Sequence, residues 1–209
     1  LVNESPLLVE KLTDSRTLQS GNYPNVKANV SSDENLVSFF ATYPTSMLGD
    51  NFCTRWSFYA NTPMSERMKN QLYPALQGAI VGKSQYEAVN ILLNFVQTAF
   101  VYEYDDKVWG GDRAFFAEES LYYPYCDCED RSILFSRLVR DLLGLKVLLV
   151  YYPGHLATAV HFTEHVTGDY ISLSNHKYIV CDPTYIGAPV GVTMPDMDNN
   201  SAKVILLAQ

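Results

Sequence analysis

The 209 residues are 47% hydrophobic and 18% charged, a balance that supports a sizeable packed core and argues against disorder over most of the chain. A net charge of −8 and a pI near 4.9 leave no positive field to gather phosphates, so nucleic acid is not expected as a partner. The longest apolar run, Val147–Tyr152, is strand-sized, so no membrane span is expected.

The chain opens on Leu1-Val2-Asn3, without a Met or a signal-peptide pattern, as expected of a processed or truncated product. Residues 1–35 are polar and poorly periodic around the turn-like Gly21-Asn22-Tyr23-Pro24-Asn25, which predicts an extended arm or linker. Leu36–Tyr43 and Phe52–Tyr59 are rich in aromatic and β-branched residues and predict strands. Thr62-Pro63-Met64-Ser65-Glu66 predicts a helix start, with Thr62 as N-cap and Pro63 in the first turn, running to about Ile80 before Gly82.

Ser84-Gln85-Tyr86-Glu87 has the form of a capping box. The helix it opens has apolar residues at helical spacing: Val89, Leu92, Leu93, Val96, Ala99 and Phe100. A long loop is predicted from about Glu103 to Tyr125, and loops of that length are often functional. Asp127 is a good N-cap for the next helix, which buries Ile133, Leu134, Leu138, Leu142 and Leu143 and ends at Gly144. Three strand-like runs follow, Lys146–Tyr152, Leu156–Phe162 and Lys177–Cys181, with Gly154 and Gly168 at turns; Lys203–Leu207 is a further candidate. A helix followed by strands on short turns predicts an α+β fold with a largely antiparallel sheet.

Three residues stand where chemistry is favoured. Cys128 falls in the first turn of the helix that Asp127 caps, where free backbone N–H groups favour a thiolate and can stabilise an oxyanion. His155 follows the Pro153-Gly154 turn at a strand edge, and Asp182 ends the run Lys177–Cys181. If those strands are neighbours, the carboxylate can orient the imidazole and stabilise its charged form. Singly, each has a plainer explanation: a small core cysteine, a surface histidine and an Asp-Pro turn. Jointly, at one helix start and two strand ends, they read as a Cys-His-Asp triad for thiol-based acyl transfer.

Four segments in order resemble the transglutaminase-like superfamily, in its prokaryotic cysteine peptidase and amidase branch. Cys126-Asp127-Cys128-Glu129-Asp130-Arg131-Ser132-Ile133-Leu134, with Leu142-Leu143-Gly144-Leu145, resembles the nucleophile helix. Pro153-Gly154-His155-Leu156-Ala157-Thr158-Ala159-Val160 resembles the histidine strand, and Tyr178-Ile179-Val180-Cys181-Asp182-Pro183-Thr184-Tyr185 the Asp-Pro-Thr strand. Leu92-Leu93-Asn94-Phe95-Val96-Gln97, then Tyr102 and Asp105, is similar to the helix and loop that precede the cysteine. Together the four cover roughly residues 84–190.

The resemblance implies a papain-like α+β core, with the nucleophile helix packed on the sheet, and a thiol acting on amide carbonyls of proteins or peptides. It implies residues 81–209 as the catalytic core and 1–80 as an N-terminal extension or accessory segment. The expected setting is a bacterial cell envelope or periplasm. The sequence departs from the family pattern at Cys126, where Gly is usual, and after His155, where a Trp is common; no second oxyanion donor can be assigned among Tyr122, Tyr123 and Tyr125. These departures keep a second expectation alive, a binding or structural module that no longer turns over.

A zinc site from Cys126, Cys128, Cys181 and His155 is a third, disfavoured by the Cys-x-Cys spacing. No cofactor is expected. A Cys126–Cys181 disulfide beside the site is conceivable. Asp127, Glu129 and Asp130 surround Cys128 with like charge that raises a thiol pKa. Asp127 as N-cap, and Asp130 bonded to backbone or to Arg131, are expected to blunt that effect.

Overall fold

The computed structural model describes residues 11–43 and 51–208. It is an α+β fold built on a five-stranded sheet. Strands β5 (Lys146–Tyr152), β6 (His155–His161), β7 (Tyr170–Leu173), β8 (His176–Cys181) and β9 (Lys203–Leu206) lie in the order β7-β8-β6-β5-β9. Every neighbouring pair is antiparallel. The β5–β6 hairpin pairs Lys146 with His161 through to Tyr152 with His155. Its two-residue turn depends on Gly154, whose φ of 78° is a left-handed conformation that a side chain disfavours.

Both faces of the sheet are covered. Val147, Leu149, Leu156, Val160, Ile179 and Cys181 join the main core, while Leu148, Val150, Tyr152, Ala157, Ala159 and Val180 fill a second cluster behind. Double burial explains why β5 reads as a continuous apolar run rather than an alternation.

Helix α7 (Cys128–Leu143) packs across β5 and β6. Ile133, Leu134, Leu138 and Val139 face the core, and Gly144 closes the helix with a φ of 64°. Helix α4 (Gln85–Thr98) lies against α7 and opens with the predicted capping box, Ser84 and Glu87. Buried Arg131 of α7 donates to the carbonyls of Gln97 and Phe100 at 3.2 and 3.0 Å, satisfying acceptors freed at the end of α4.

The N-terminal half differs from the sequence expectation. Within the predicted arm, residues 1–10 fall outside the described residues, but β1 (Arg16–Gln19) and β2 (Lys27–Val30) form an antiparallel hairpin around the Gly21–Asn25 turn. Its Leu18, Val26, Ala28 and Val30 share the main core with Met68, Leu72 and Leu76 of α3 (Glu66–Ile80). The two predicted strands are helices, α1 (Glu34–Ala41) and α2 (Phe52–Asn61).

Asp33 and Asn51 cap α1 and α2 by accepting from the backbone of Asn35 and Cys53. Trp56, Tyr59 and Ala60 then place α2's buried face at helical spacing, so packing overrides the strand propensity of the aromatics. Helix α3 starts three residues later than the Pro63 start. Ser65, not Thr62, is its N-cap, because the Ser65 hydroxyl accepts from Met68 N–H. Thr62 instead terminates α2.

The predicted loop 103–125 is also ordered. It holds α5 (Asp105–Val108) and α6 (Ala117–Tyr122) and ends where β4 (Tyr125–Cys126) pairs in parallel with β3 (Val101–Tyr102). Strand β7 has no counterpart in the sequence reading. No described helix is long and apolar enough to cross a membrane.

Candidate active site

Cys128 begins α7, with Asp127 at the N-cap position. The carboxyl of Asp130 reaches back to the Asp127 backbone N–H at 3.3 Å and accepts from Phe115 N–H at 2.7 Å. One buried side chain therefore holds both the helix start and the loop before it. The start of β6 is clamped beside this turn. Ser132 Oγ donates to the Leu156 carbonyl at 2.8 Å, and the Leu156 backbone N–H is directed at the Cys128 sulfur.

His155, adjacent to Leu156, is thereby brought to the rim of the cleft that Cys128 lines. Its Nε2 lies 2.8 Å from Asp182 Oδ2 in a buried pair. The other Asp182 oxygen accepts from the backbone N–H of Thr184 at 2.8 Å and of Tyr185 at 3.1 Å. The carboxylate is fixed on both sides, and Nδ1 of His155 is left as the nitrogen available for proton transfer.

The antiparallel pairing of β6 and β8 makes this meeting. Thr158 stands opposite Cys181, so His155 and Asp182 emerge at the same end of the sheet. Cys128, His155 and Asp182, the three residues singled out in the sequence, thus gather at one place. Cys128 and His155 line a cleft of about 340 Å³ walled by Phe52, Trp56, Tyr102 and Tyr151.

The acids around Cys128 are not blunted. Burial, then the charges of Glu129 and Asp127, push the Cys128 thiol well above its ordinary pKa. Its Sγ lies 3.1 Å from Glu129 Oε2, within reach of an S–H···O hydrogen bond that holds the protonated form. The Leu156 N–H acts in the opposite direction and favours the thiolate.

Burial also raises the carboxyl pKa values of Asp127 and Asp130, reinforced by their acidic neighbours, and brings Asp105 to about 6. Carboxylate oxygens of Asp105, Asp127 and Asp130, and of Asp105, Asp112 and Glu129, cluster within 4.8 Å, an oxygen set of the kind that can hold a hard cation. Cys126 and Cys181 are buried free thiols, so the Cys126–Cys181 disulfide is not formed. Among the described residues, neither they nor His155 joins a ligand cluster, against the four-residue zinc arrangement.

The chain matches no protein-family model, no curated protein and no solved structure.

Two residues at the site escaped sequence reasoning. Gln97, buried in the last turns of α4, donates through Nε2 to the carbonyls of Asp182, Tyr185 and Ala188 at 2.9–3.0 Å. Its Oε1 accepts from Gly187 N–H at 3.3 Å. One amide thus secures the loop that carries Asp182. Glu129, the acceptor for the thiol, was visible only as one more acid beside Cys128. A cavity of about 870 Å³ between the β1–β2 turn, α3, α4 and residues 187–189 is lined by no Cys, Ser, Thr or His.

Proposed function

We propose that the protein is a thiol-dependent hydrolase or acyl transferase acting on amide bonds of proteins or peptides, on a transglutaminase-like, papain-like core. The observation that carries this is the 2.8 Å His155–Asp182 pair opening onto the cleft lined by Cys128. In the first half-reaction His155 takes the Cys128 proton, sulfur bonds to the carbonyl carbon, and the oxyanion faces the N-terminal N–H groups of α7. The imidazolium then protonates the leaving nitrogen as the C–N bond breaks, which leaves a thioester. Water, or an amine in transfer, gives a proton to His155 and attacks the thioester; the thiol is regenerated as acid or amide leaves. Asp182 holds the imidazole in position and stabilises its charged form.

The test is turnover of a peptide-amide panel by wild type and Cys128→Ala. Loss of all turnover in the variant is expected, and turnover unchanged by the substitution overturns the mechanism.

One observation favours a second reading, a module that binds but does not turn over. The Cys128 Sγ lies 3.1 Å from Glu129 Oε2, within hydrogen-bond reach of a carboxylate that would hold its proton. Under this reading Cys128 is alkylated by iodoacetamide no faster than the half-buried Cys53, whereas the enzyme reading requires it to be faster.

A further inference from the structure

We propose that the cleft around Cys128 selects substrates with a positively charged side chain, Lys or Arg, next to the attacked carbonyl. Which carbonyl lies beside the cation rests on the thiol chemistry proposed above; the selection of a cation does not.

The cleft is lined by more acids than its neighbouring cations neutralise. Asp105, Asp106, Asp112, Asp127 and Glu129 all line it, and among the described lining residues there is no Lys or Arg. The nearby guanidinium groups are already committed, Arg55 to the lining acid Asp112 and the others outside the cleft. Arg55 pairs with Asp112 at 2.5 Å. Arg113 pairs with Glu119 at 3.1 Å and lies over the Trp109 ring. Arg131 is spent on the two backbone carbonyls at the end of α4. None of Asp105, Asp127 and Glu129 forms an ion pair among the described residues.

A second feature points to a ligand. Asp127 is only 8% exposed, lines the cleft, and its Oδ1 has no hydrogen-bond partner. A buried carboxyl oxygen without a donor is costly, and a donor arriving with a ligand removes that cost.

The walls decide which kind of cation fits. Phe52, Trp56, Tyr102, Tyr104 and Tyr151 present aromatic rings to the same space. Rings attract an organic cation through their negative faces, whereas a hard metal ion is held by oxygen ligands and gains nothing from the rings. These rings already act this way within the chain: Arg55 lies over Phe52 at 5.0 Å, and Lys203 over Tyr151 at 5.9 Å. Trp56 carries no such partner among the described residues. A cleft of about 340 Å³ has room for one side chain and its adjoining amide, not for an extended ligand.

The experiment measures binding without chemistry. Full-length Cys128→Ala protein is titrated with fluorescent peptide amides that differ at one position: Lys, Arg, norleucine or Glu. Lys and Arg peptides are expected to bind about ten-fold or more tighter than norleucine at low salt, and Glu weaker than all. Added Asp127→Asn or Glu129→Gln, each checked for native circular dichroism, is expected to shrink the preference. Norleucine bound as tightly as Lys, a preference unchanged in both variants, or no binding by any peptide overturns the proposal. Wild-type turnover of the same peptides separates the two ideas. Turnover without charge preference sinks the cation selection alone; charge-selective binding without turnover sinks the thiol chemistry alone.

Discussion

Gln97 Nε2 donates to the Asp182 backbone carbonyl at 3.0 Å, while the Asp182 side chain holds His155 at 2.8 Å. A residue of helix α4 is therefore connected to the imidazole through a single intermediate. Replacing Gln97 by Leu, close to it in size, leaves three carbonyls and one N–H of the 182–188 loop without their partner. At roughly 1 kcal/mol for each net hydrogen bond, a loss of about 2–4 kcal/mol in unfolding free energy is expected from urea denaturation. The downfield ring N–H resonance of His155 should broaden or shift in folded protein. A sharp, unmoved resonance would mean that Asp182 does not depend on Gln97.

The acids beside Cys128 make its thiol reactivity tunable. Burial comes first among the causes that raise the Cys128 pKa, followed by the Glu129 and Asp127 charges. Glu129→Gln removes one charge and the carboxylate acceptor, so the thiol pKa falls and more thiolate is present at any fixed pH below it. Iodoacetamide alkylation of Cys128 at neutral pH should accelerate about ten-fold for each unit by which the pKa drops. An unchanged rate–pH curve in the variant would falsify this electrostatic account.

Stability should also respond to pH through the buried carboxyls. Asp105 is raised to about 6, and Asp127 and Asp130 are raised as well, chiefly by burial. A raised carboxyl binds more protons in the folded than in the unfolded protein between its unfolded and folded pKa values. Its contribution is therefore fully present below the ordinary carboxylate range and is lost as pH climbs, through about 6 for Asp105 and beyond that for the other two. Thermal melting is expected to peak at mildly acidic pH and decline towards alkaline pH. Asp127→Asn should flatten the decline. Melting temperatures that rise steadily from pH 5 to pH 8 would contradict it.

Gly168 and Gly191 form a crossing with no room for a side chain. A Cβ on Gly168 would stand 2.4 Å from the Cα of Gly191, and both residues have positive φ, 139° and 89°. Gly168→Ala is expected to cost roughly 3 kcal/mol or more, from collision and backbone strain together. Gly82→Ala, also at positive φ but with open space around it, should cost less. Equal melting temperatures for the two variants would remove the collision from the account.

The C-terminal half was the legible part of the sequence. Lys146–Tyr152 is a strand with the bounds expected, and Gly144 ends α7 as predicted; Asp127 stands at its N-cap position without a side-chain cap bond, and Asp130 reaches back in its place. Those signals are local: a cap, a left-handed glycine, a run of β-branched and aliphatic residues. The misreadings have a common physical source. Phe39, Phe40 and Tyr59 raise strand propensity, yet they serve an aromatic cluster in which Phe40 and Tyr59 pack on Phe116 at 4.3 and 4.2 Å. Such contacts span more than fifty residues, and no window along the chain contains them.

The Asp33 and Asn51 caps were readable but were outweighed by those aromatics. Strand β7 buries only Ile171, so it carries almost no alternation to detect. At the site, residue types at element ends pointed to Cys128, His155 and Asp182. Gln97 is one polar residue inside an apolar helix, and its role exists only once the 182–188 loop folds back over it.

The pairing of Thr158 with Cys181 has a temporal consequence. Slippage of β8 along β6 by a single rung would turn its side chains to the opposite face and carry Asp182 away from His155. The nucleophile's helix is local in sequence, but its base and acid meet only after the central ladder has settled into one alignment. On the proposed function, a newly made chain gains its thiol chemistry no earlier than that alignment.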